Sequence, residues 1–313
     1  MQSTQKAVRI HQFGKADVLV YEDAPMPVIQ ADDVLVKIHA SSINPVDWKV
    51  REGYLKDMIP HTFPLTLGWD FAGEIVAVGS NVSDWKVGSA VYARPDIGRD
   101  GAYAEYIAVR ASEIAVKPAS INWQEAAAVP LVALTAWQAL YEGANIQAGE
   151  RVLIHAGAGG VGTFAIQLAK LRGAHVITTT STKNVELVKA LGADEIIDYT
   201  QSDFASLRDI DVVFDTMGGE IQDQSWQTLK RGGRLVSIIS PPSAEAAAQV
   251  GATPLFCFVQ PSATQLQALA ELIDAGKIRI IIDSVFALKD IAAAHAKSES
   301  GRTRGKIVIQ VSE

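Results

Sequence analysis

Residues Val152 to Thr163 read Val-Leu-Ile-His-Ala-Gly-Ala-Gly-Gly-Val-Gly-Thr: an apolar run, a glycine-rich turn, then an amphipathic stretch. Glycines stand at 157, 159 and 162, the G-x-G-x-x-G spacing, and Phe164, Ile166, Leu168 and Leu171 follow with helical patterning. A strand, a tight turn and a helix must therefore pack back to back, and each glycine has its own reason. Gly157 permits the turn, Gly159 lets backbone approach a pyrophosphate, and Gly162 lets the helix lie close to the strand. The helix start adds unpaired N–H groups and the positive end of a dipole. Any tight turn uses glycine. The flanking strand and helix favour a dinucleotide cradle built from Ala158, Gly159, Gly160 and Val161.

The surrounding pattern agrees. Strands are predicted at Val152–His155, His175–Thr179, Glu195–Ile197, Asp211–Phe214 and Arg234–Ile238, with helices at Val161–Leu171 and Lys183–Leu191 between them. Such alternation implies βαβ units and a parallel sheet. Before Ile121 the texture is different, with short strands such as the alternating stretch from Val34 and turns such as Gly79-Ser80-Asn81, a mostly antiparallel β pattern. Asn122 with Glu125 has capping-box spacing, and Pro130 suits the first turn of a helix reaching about Tyr141. The alternation is expected to break after Pro241-Pro242. Helices then follow at Ala263–Ala275 and Leu288–Ser298, with a last strand at Lys306–Val311.

Which dinucleotide is held depends on the end of the second strand. A site for NAD usually places Asp or Glu there, to bond the ribose hydroxyls. This chain has Thr178-Thr179-Thr180-Ser181-Thr182-Lys183 instead. The hydroxyls of Thr180 and Ser181 and the Lys183 ammonium can donate to a 2′-phosphate, which points to NADPH. The competing role for Ser181 or Thr182 is to cap the helix that follows.

Composition narrows the alternatives. With 48% apolar and 20% charged residues over 313 positions, the chain can bury ordinary cores. A net charge of -7 and no basic stripe argue against nucleic acid as a partner. No apolar run reaches bilayer length and Met1–Lys6 is polar, so a cytoplasmic protein with no membrane association is expected. Cys257 is the single cysteine, flanked by Phe256, Phe258 and Val259, and reads as a small packed hydrophobe, not a nucleophile.

Further stretches carry a resemblance. They are Ser42-Ile43-Asn44-Pro45-Val46-Asp47, Gly68-Trp69-Asp70-Phe71-Ala72-Gly73, Leu134-Thr135-Ala136-Trp137, Leu191-Gly192-Ala193-Asp194 and Gly305-Lys306-Ile307-Val308. Together with the glycine turn they make the chain similar, over nearly its whole length, to the medium-chain dehydrogenase/reductase superfamily. The quinone oxidoreductase branch that includes zeta-crystallin is the nearest in pattern. The resemblance implies an α/β chain with a GroES-like β-rich catalytic domain and a Rossmann domain built on a doubly wound parallel sheet. The expected boundaries are 1–125 with 262–313 returning to it, and 126–261 for the Rossmann domain. It also implies a homodimer and an active site in the cleft.

Zinc-dependent members of that superfamily carry cysteine where this chain has Asn44, and Gly-His-Glu where it has Gly68-Trp69-Asp70. The counterpart of their four-cysteine loop, around Pro95–Ala102, holds no cysteine. Without those N and S donors no metal is expected. Oxidising an unactivated alcohol would then lack a Lewis acid, whereas a quinone or α,β-unsaturated carbonyl accepts hydride directly.

By resemblance, the candidate catalytic residues are Asn44, Asp47 and Tyr54. Asn44 could orient a carbonyl or carboxamide, or be a turn residue before Pro45. Asp47 is expected to hold its loop more than to act as a base. Tyr54 could offer its hydroxyl, unless Leu55 takes that register. Thr135, Tyr199, Phe258 and Val259 resemble cofactor contacts, and Arg304 and Lys306 are assigned either to a phosphate or cleft or to the solvated surface. The expected activity is NADPH-dependent, zinc-independent hydride transfer to a quinone or enone. The alternatives are a reductase of enoyl thioesters or another activated double bond, and a silent NADPH-binding protein.

Overall fold

The computed structural model describes residues 3–312; Met1, Gln2 and Glu313, which the expected domain ranges include, lie outside the described residues. The chain divides into two units: residues 1–131, 260–276 and 281–313 form the first, and residues 132–259 with 277–280 form the second.

The first unit is built from short strands: β1 (Thr4–Ile10), β2 (Val20–Pro25), β3 (Asp33–Ile43), β4 (Leu65–Thr66), β5 (Phe71–Val78), β6 (Ala90–Ala93), β7 (Tyr106–Arg110) and β8 (Ile114–Val116). They are joined by α1 (Pro45–Arg51) and followed by α2 (Trp123–Ala127), where Asn122 and Glu125 form the expected capping box. One sheet runs β2-β1-β4; β3, β5, β6 and β8 continue a second, with β7 also on β3, and every pairing within this set is antiparallel. Alternation explains the core. Val34, Val36 and Ile38 of β3 point inward with Ile75, Val91 and Ile107.

The helix α3 (Pro130–Trp137) begins two residues before the second unit does. The helix expected to reach Tyr141 instead changes at Gln138–Gly143 to π-type bonding, with the Ala144 N–H on Ala139 O at 2.8 Å. A parallel sheet follows, from β9 (Arg151–Ile154), β10 (His175–Thr180), β11 (Glu195–Asp198), β12 (Ile210–Asp215), β13 (Leu229–Ser237) and β14 (Thr253–Phe256). The connecting helices are α4 (Gly160–Leu171), α5 (Val185–Ala190), α6 (Gly219–Ser225) and α7 (Ala244–Val250). Strand order is β11-β10-β9-β12-β13-β14, the doubly wound arrangement that reverses direction between β9 and β12. The break expected at Pro241-Pro242 is overturned, since α7 and β14 add one more βαβ unit. Alanine-rich α7 has little sequence amphipathicity, and Pro254 argued against a strand. Pro254 is tolerated because β14 lies at the sheet edge, where one side of the backbone forms no ladder bonds.

The chain then returns to the first unit with α8 (Ala263–Asp274), β15 (Ile282–Ala287), α9 (Ile291–Glu299) and β16 (Lys306–Gln310). β16 pairs antiparallel with β3, Ile307 opposite Ile43, and completes the seven-stranded sheet. Ile307 and Ile309 enter a core with Ile43, Leu67, Trp69 and Ile291. Because Ile307 locks the returning strand, Ile307→Ala is expected to cost about 2–5 kcal/mol in a urea unfolding curve.

Candidate functional site

Two constellations stand out, one in each unit. In the first, β16 delivers Lys306 to the end of β3. Its Nζ donates to Ile43 O at 2.8 Å, Asn44 Oδ1 at 2.5 Å and Asp70 Oδ2 at 3.3 Å. An ammonium has three N–H donors, and all three have acceptors here. Asp70 is equally saturated: Oδ2 also accepts from Ser42 Oγ at 2.8 Å and Asn44 Nδ2 at 2.7 Å, while Oδ1 accepts the Leu131 N–H at 2.7 Å. Lys306 is 3% exposed and Asp70 is fully buried. Burial raises the Asp70 carboxyl's pKa and lowers that of the Lys306 ammonium, while each partner's charge opposes the other's shift. The saturated hydrogen bonds favour the ionised pair.

Lys306 is therefore not on the solvated surface, one of the places expected for it from sequence. Arg304, two residues earlier, is exposed, and its N–H bonds Asp283 Oδ1 at 3.1 Å.

Asn44 stands just before α1 with extended backbone, and its amide is committed to Asp70 and Lys306. Asp47, three residues on, accepts the Asn44 N–H at 2.7 Å and the Tyr103 hydroxyl at 2.6 Å on one oxygen. Its other oxygen is buried without a hydrogen-bond partner. Burial pushes the Asp47 carboxyl up to about 7, against the two donors and the Lys306 charge. Asn44 and Asp47 are thus brought together. Tyr54 is not: it is 67% exposed, its ring sits edge-on to Trp48 at 6.3 Å, and the Glu52 carboxylate raises its hydroxyl's pKa. Leu55 packs on the core instead.

In the second unit the turn after β9 is pinned by β10. The Thr179 hydroxyl accepts the Ala156 N–H at 3.1 Å, Thr179 O accepts that of Gly157 at 3.0 Å, and Thr178 Oγ1 donates to Ile154 O at 2.8 Å. The residue with left-handed backbone is Ala156, at φ 52°, not Gly157 as the turn chemistry suggested. Gly157 is required for space, since a Cβ there would lie 2.1 Å from Thr178 Oγ1. A Cβ at Gly162 would meet Ala156 O at 2.3 Å. At Gly159 it would meet only Ala156 O, at 3.3 Å. Packing therefore demands glycine at 157 and 162, and hardly at 159. Gly159 is also the N-cap of α4 and supplies no side chain to its first amides.

At the end of β10, Thr180 is buried, Ser181 half-buried and Lys183 exposed. Ser181 makes no side-chain cap, and its hydroxyl has only Asn184 Nδ2, at 3.4 Å. Thr182 donates to Asp198 Oδ2 at 2.5 Å. That carboxylate was invisible from the β10 sequence: it closes β11, opposite Thr180, and parallel pairing brings it alongside. Tyr199 next to it is 62% exposed, with its N–H on Thr180 O at 3.0 Å. Thr135 is buried on α3, and Phe258 and Val259 are half-buried just after β14. Cys257 is half-buried, its thiol pushed up to about 11 by burial and the nearby Glu142. Among the described residues no group of three or more His, Cys, Asp or Glu is placed to hold a metal ion. No helix among them is long and apolar enough to cross a membrane.

Residues 30–119 match the alcohol dehydrogenase GroES-like domain and residues 191–309 match the zinc-binding dehydrogenase family model. The chain is 35% identical to the zebrafish (Danio rerio) protein named NAD(P)H oxidoreductase RTN4IP1, mitochondrial, over 97% of this chain and 90% of that one. It is 37% identical to the Arabidopsis thaliana NADPH-dependent alkenal/one oxidoreductase, chloroplastic, covering 97% and 79%. The structure of the quinone oxidoreductase from Coxiella burnetii superposes with a TM-score of 0.94 at 37% identity, over 99% and 100% of the two chains. The chain belongs to the medium-chain dehydrogenase/reductase superfamily, in its quinone oxidoreductase-like branch. It is an oxidoreductase with a GroES-like domain and a Rossmann domain.

Within this superfamily member sequence reasoning gave no role to Ser42 or Tyr103 near Asn44 or to Asp198 beside Thr182, and it missed that Asp70 and Lys306 pair there. The stretches Gly68-Trp69-Asp70 and Gly305-Lys306-Ile307 marked Asp70 and Lys306 but carried no sign of their contact. Removing the cation alone, as in Lys306→Met, leaves a buried uncompensated carboxylate and is expected to cost about 3–5 kcal/mol in denaturant melts. The Asp47 carboxyl titrates above its unfolded value, so the folded chain binds the extra proton. Its contribution is complete below the ordinary carboxylate range near 3.8 and is lost as pH rises towards about 7. Asp47→Asn should remove that part of the fall in melting temperature between those pH values.

Proposed function

We propose that this oxidoreductase uses NADPH to deliver hydride to a quinone or α,β-unsaturated carbonyl. The observation that carries the cofactor reading is Gly159: an uncapped helix start at the sheet's switch point, where the fold itself barely requires glycine. The names of the relatives, an NAD(P)H oxidoreductase, an alkenal/one oxidoreductase and a quinone oxidoreductase, support the same chemistry.

In this reading Ala158, Gly159, Gly160 and Val161 receive the pyrophosphate on backbone N–H groups. Ser181, with its hydroxyl almost free, and the exposed Lys183 receive the 2′-phosphate, with Thr180 beneath them. Thr135, Tyr199, Phe258 and Val259 are assigned to the rest of the cofactor. Bound reduced nicotinamide supplies a hydride. Tyr54 presents a phenol kept protonated beside Glu52 to the outer part of the acceptor, while Asn44 and Asp47 fix the α1 segment from below. A zinc-free reaction is supported by the donor set. A divalent cation near Asn44 and Asp70 would meet the Lys306 ammonium and find both side chains already bonded. A homodimer and a cytoplasmic location complete the reading; light scattering and localisation of a tagged chain test them.

A specific observation favours NADH as the second reading: Asp198 stands where a carboxylate could bond a ribose hydroxyl or repel a 2′-phosphate. Titrating both nucleotides separates the two. Lys183→Glu is expected to weaken NADPH by about tenfold more than NADH, whereas preferential loss of NADH in Asp198→Asn would favour the second reading. Gly159→Val should abolish nucleotide binding while leaving the melting temperature almost unchanged; retained affinity would sink the cradle. Nucleotide oxidation only with enoyl thioesters, or with no acceptor at all, would replace quinones and enones by the rival activities.

A further inference from the structure

His155 follows β9 and is buried. Its main chain is fixed against β12: the N–H bonds Phe214 O at 3.1 Å, and the carbonyl accepts the Thr216 hydroxyl at 2.9 Å. The ring stands edge-on to Phe204, with centroids 4.6 Å apart, and both of its nitrogens meet hydroxyls. Nδ1 lies 3.2 Å from Thr179 Oγ1 and Nε2 lies 2.9 Å from Ser225 Oγ. Burial keeps the imidazole neutral near pH 7 by pushing its pKa down to about 4, against the Asp215 charge.

The hydroxyls decide which nitrogen carries the proton. Ser225 has one hydrogen, which goes to Ile221 O at 2.6 Å, so its oxygen accepts from Nε2–H. Thr179 Oγ1 accepts the Ala156 N–H at 3.1 Å and gives its own hydrogen to the bare Nδ1. The bonds therefore run one way, with every donor matched, from Ala156 through Thr179, His155 and Ser225 to α6. Ala156 is the turn's strained residue, at φ 52°. A residue with a Cβ keeps left-handed backbone only where its surroundings enforce it. Ala156 O accepts the Gly159 N–H at 2.9 Å, and Gly159 O accepts that of Thr163 at 3.0 Å. The start of α4 is thus tied to Ala156, and Ala156 to the imidazole.

We propose that His155 is a positioning residue for the glycine turn, holding Ala156 left-handed through Thr179 and so aiming the first amides of α4 at the cofactor's pyrophosphate. This rests on the dinucleotide reading above. His155 acts through Thr179 and not by contact with the ligand. Without the imidazole the Thr179 hydroxyl loses its acceptor and can rotate away from the Ala156 N–H. The turn then relaxes between conformations, and ligand binding has to order it again, which weakens affinity. Control of the turn therefore extends beyond G-x-G-x-x-G, to the residue before Ala156 and to α6 behind it.

The test compares NADPH with adenosine 2′-monophosphate, which carries no phosphate for the turn. His155→Phe keeps an aromatic ring and removes both nitrogens. Its NADPH dissociation constant should rise about tenfold, with that of adenosine 2′-monophosphate within about twofold of wild type. His155→Asn sets an amide oxygen near the former Nδ1 and should recover about threefold of the loss or more. Ser225→Ala, at the far end of the chain of bonds, should weaken NADPH about threefold. Equal weakening of both nucleotides, or an Asn variant no better than the Phe variant, makes His155 a packing residue and overturns the proposal. Wild-type NADPH affinity in His155→Phe overturns it as well. Should the Phe variant fail to fold, nuclear magnetic resonance of the wild type with isotope-labelled histidine decides. His155 should carry its proton on Nε2 with Nδ1 bare, and the reverse tautomer overturns the proposal. Should the wild type take NADH alone, the same comparison is made between NADH and adenosine. A wild type that binds neither nicotinamide defeats the dinucleotide reading and this proposal with it, whereas binding insensitive to His155→Phe defeats the proposal alone.

Discussion

An ammonium group buried to 3% exposure persists as a cation only where each of its N–H donors meets an acceptor and a counter-charge stands near. Lys306 meets that condition on one backbone carbonyl, the Asn44 amide and the Asp70 carboxylate. Much else in the first unit follows from it. β16 must lie beside β3 for the lysine to reach Asn44, so the last strand of the chain is tied to the loop that opens α1. Asp70 must face the same point, which fixes the start of β5, and the Leu131 N–H finds its acceptor there. Asn44, held through its amide, leaves its N–H for Asp47, and Asp47 in turn anchors the Tyr103 hydroxyl.

Asn44 and Asp70 thus lie within a charge pair of protein groups, while Trp69 between them in sequence packs in the apolar core. A lysine carries positive charge and three donors, and the polar cluster ties together the segments that supply its acceptors. The second unit follows a similar economy. Its turn is held from beneath by Thr178 and Thr179, while the outward-facing elements, Gly159 and the Ser181 hydroxyl, carry few protein contacts. Both are groups that the fold itself does not consume.

Local signals carried much of the fold. Periods of two and 3.6 placed most strands and helices of the second unit to within a few residues, because a buried strand or an amphipathic helix is encoded by its own side chains. They failed at α7 and β14, where alanine offers no polarity contrast and Pro254 is admissible only at an edge that topology defines. They also failed at Gln138–Gly143, where bonding changes register within a continuous apolar helix.

What the sequence determined by itself was the strand-turn-helix around Gly157–Gly162, since the three glycines and their flanks are contiguous and their packing is local. It also supplied the loss of cysteine and histidine at Asn44 and Trp69, which needs no coordinates to read. Only the tertiary structure decided what replaced them. Asn44, Asp70 and Lys306 are separated by up to 262 residues, and no local pattern records that they share hydrogen bonds. The same holds for Asp198 beside Thr182. Commitment of a donor or acceptor is a property of its neighbours in space, so which polar groups are spent on the fold and which stay open to ligands emerges only when the strands are laid side by side.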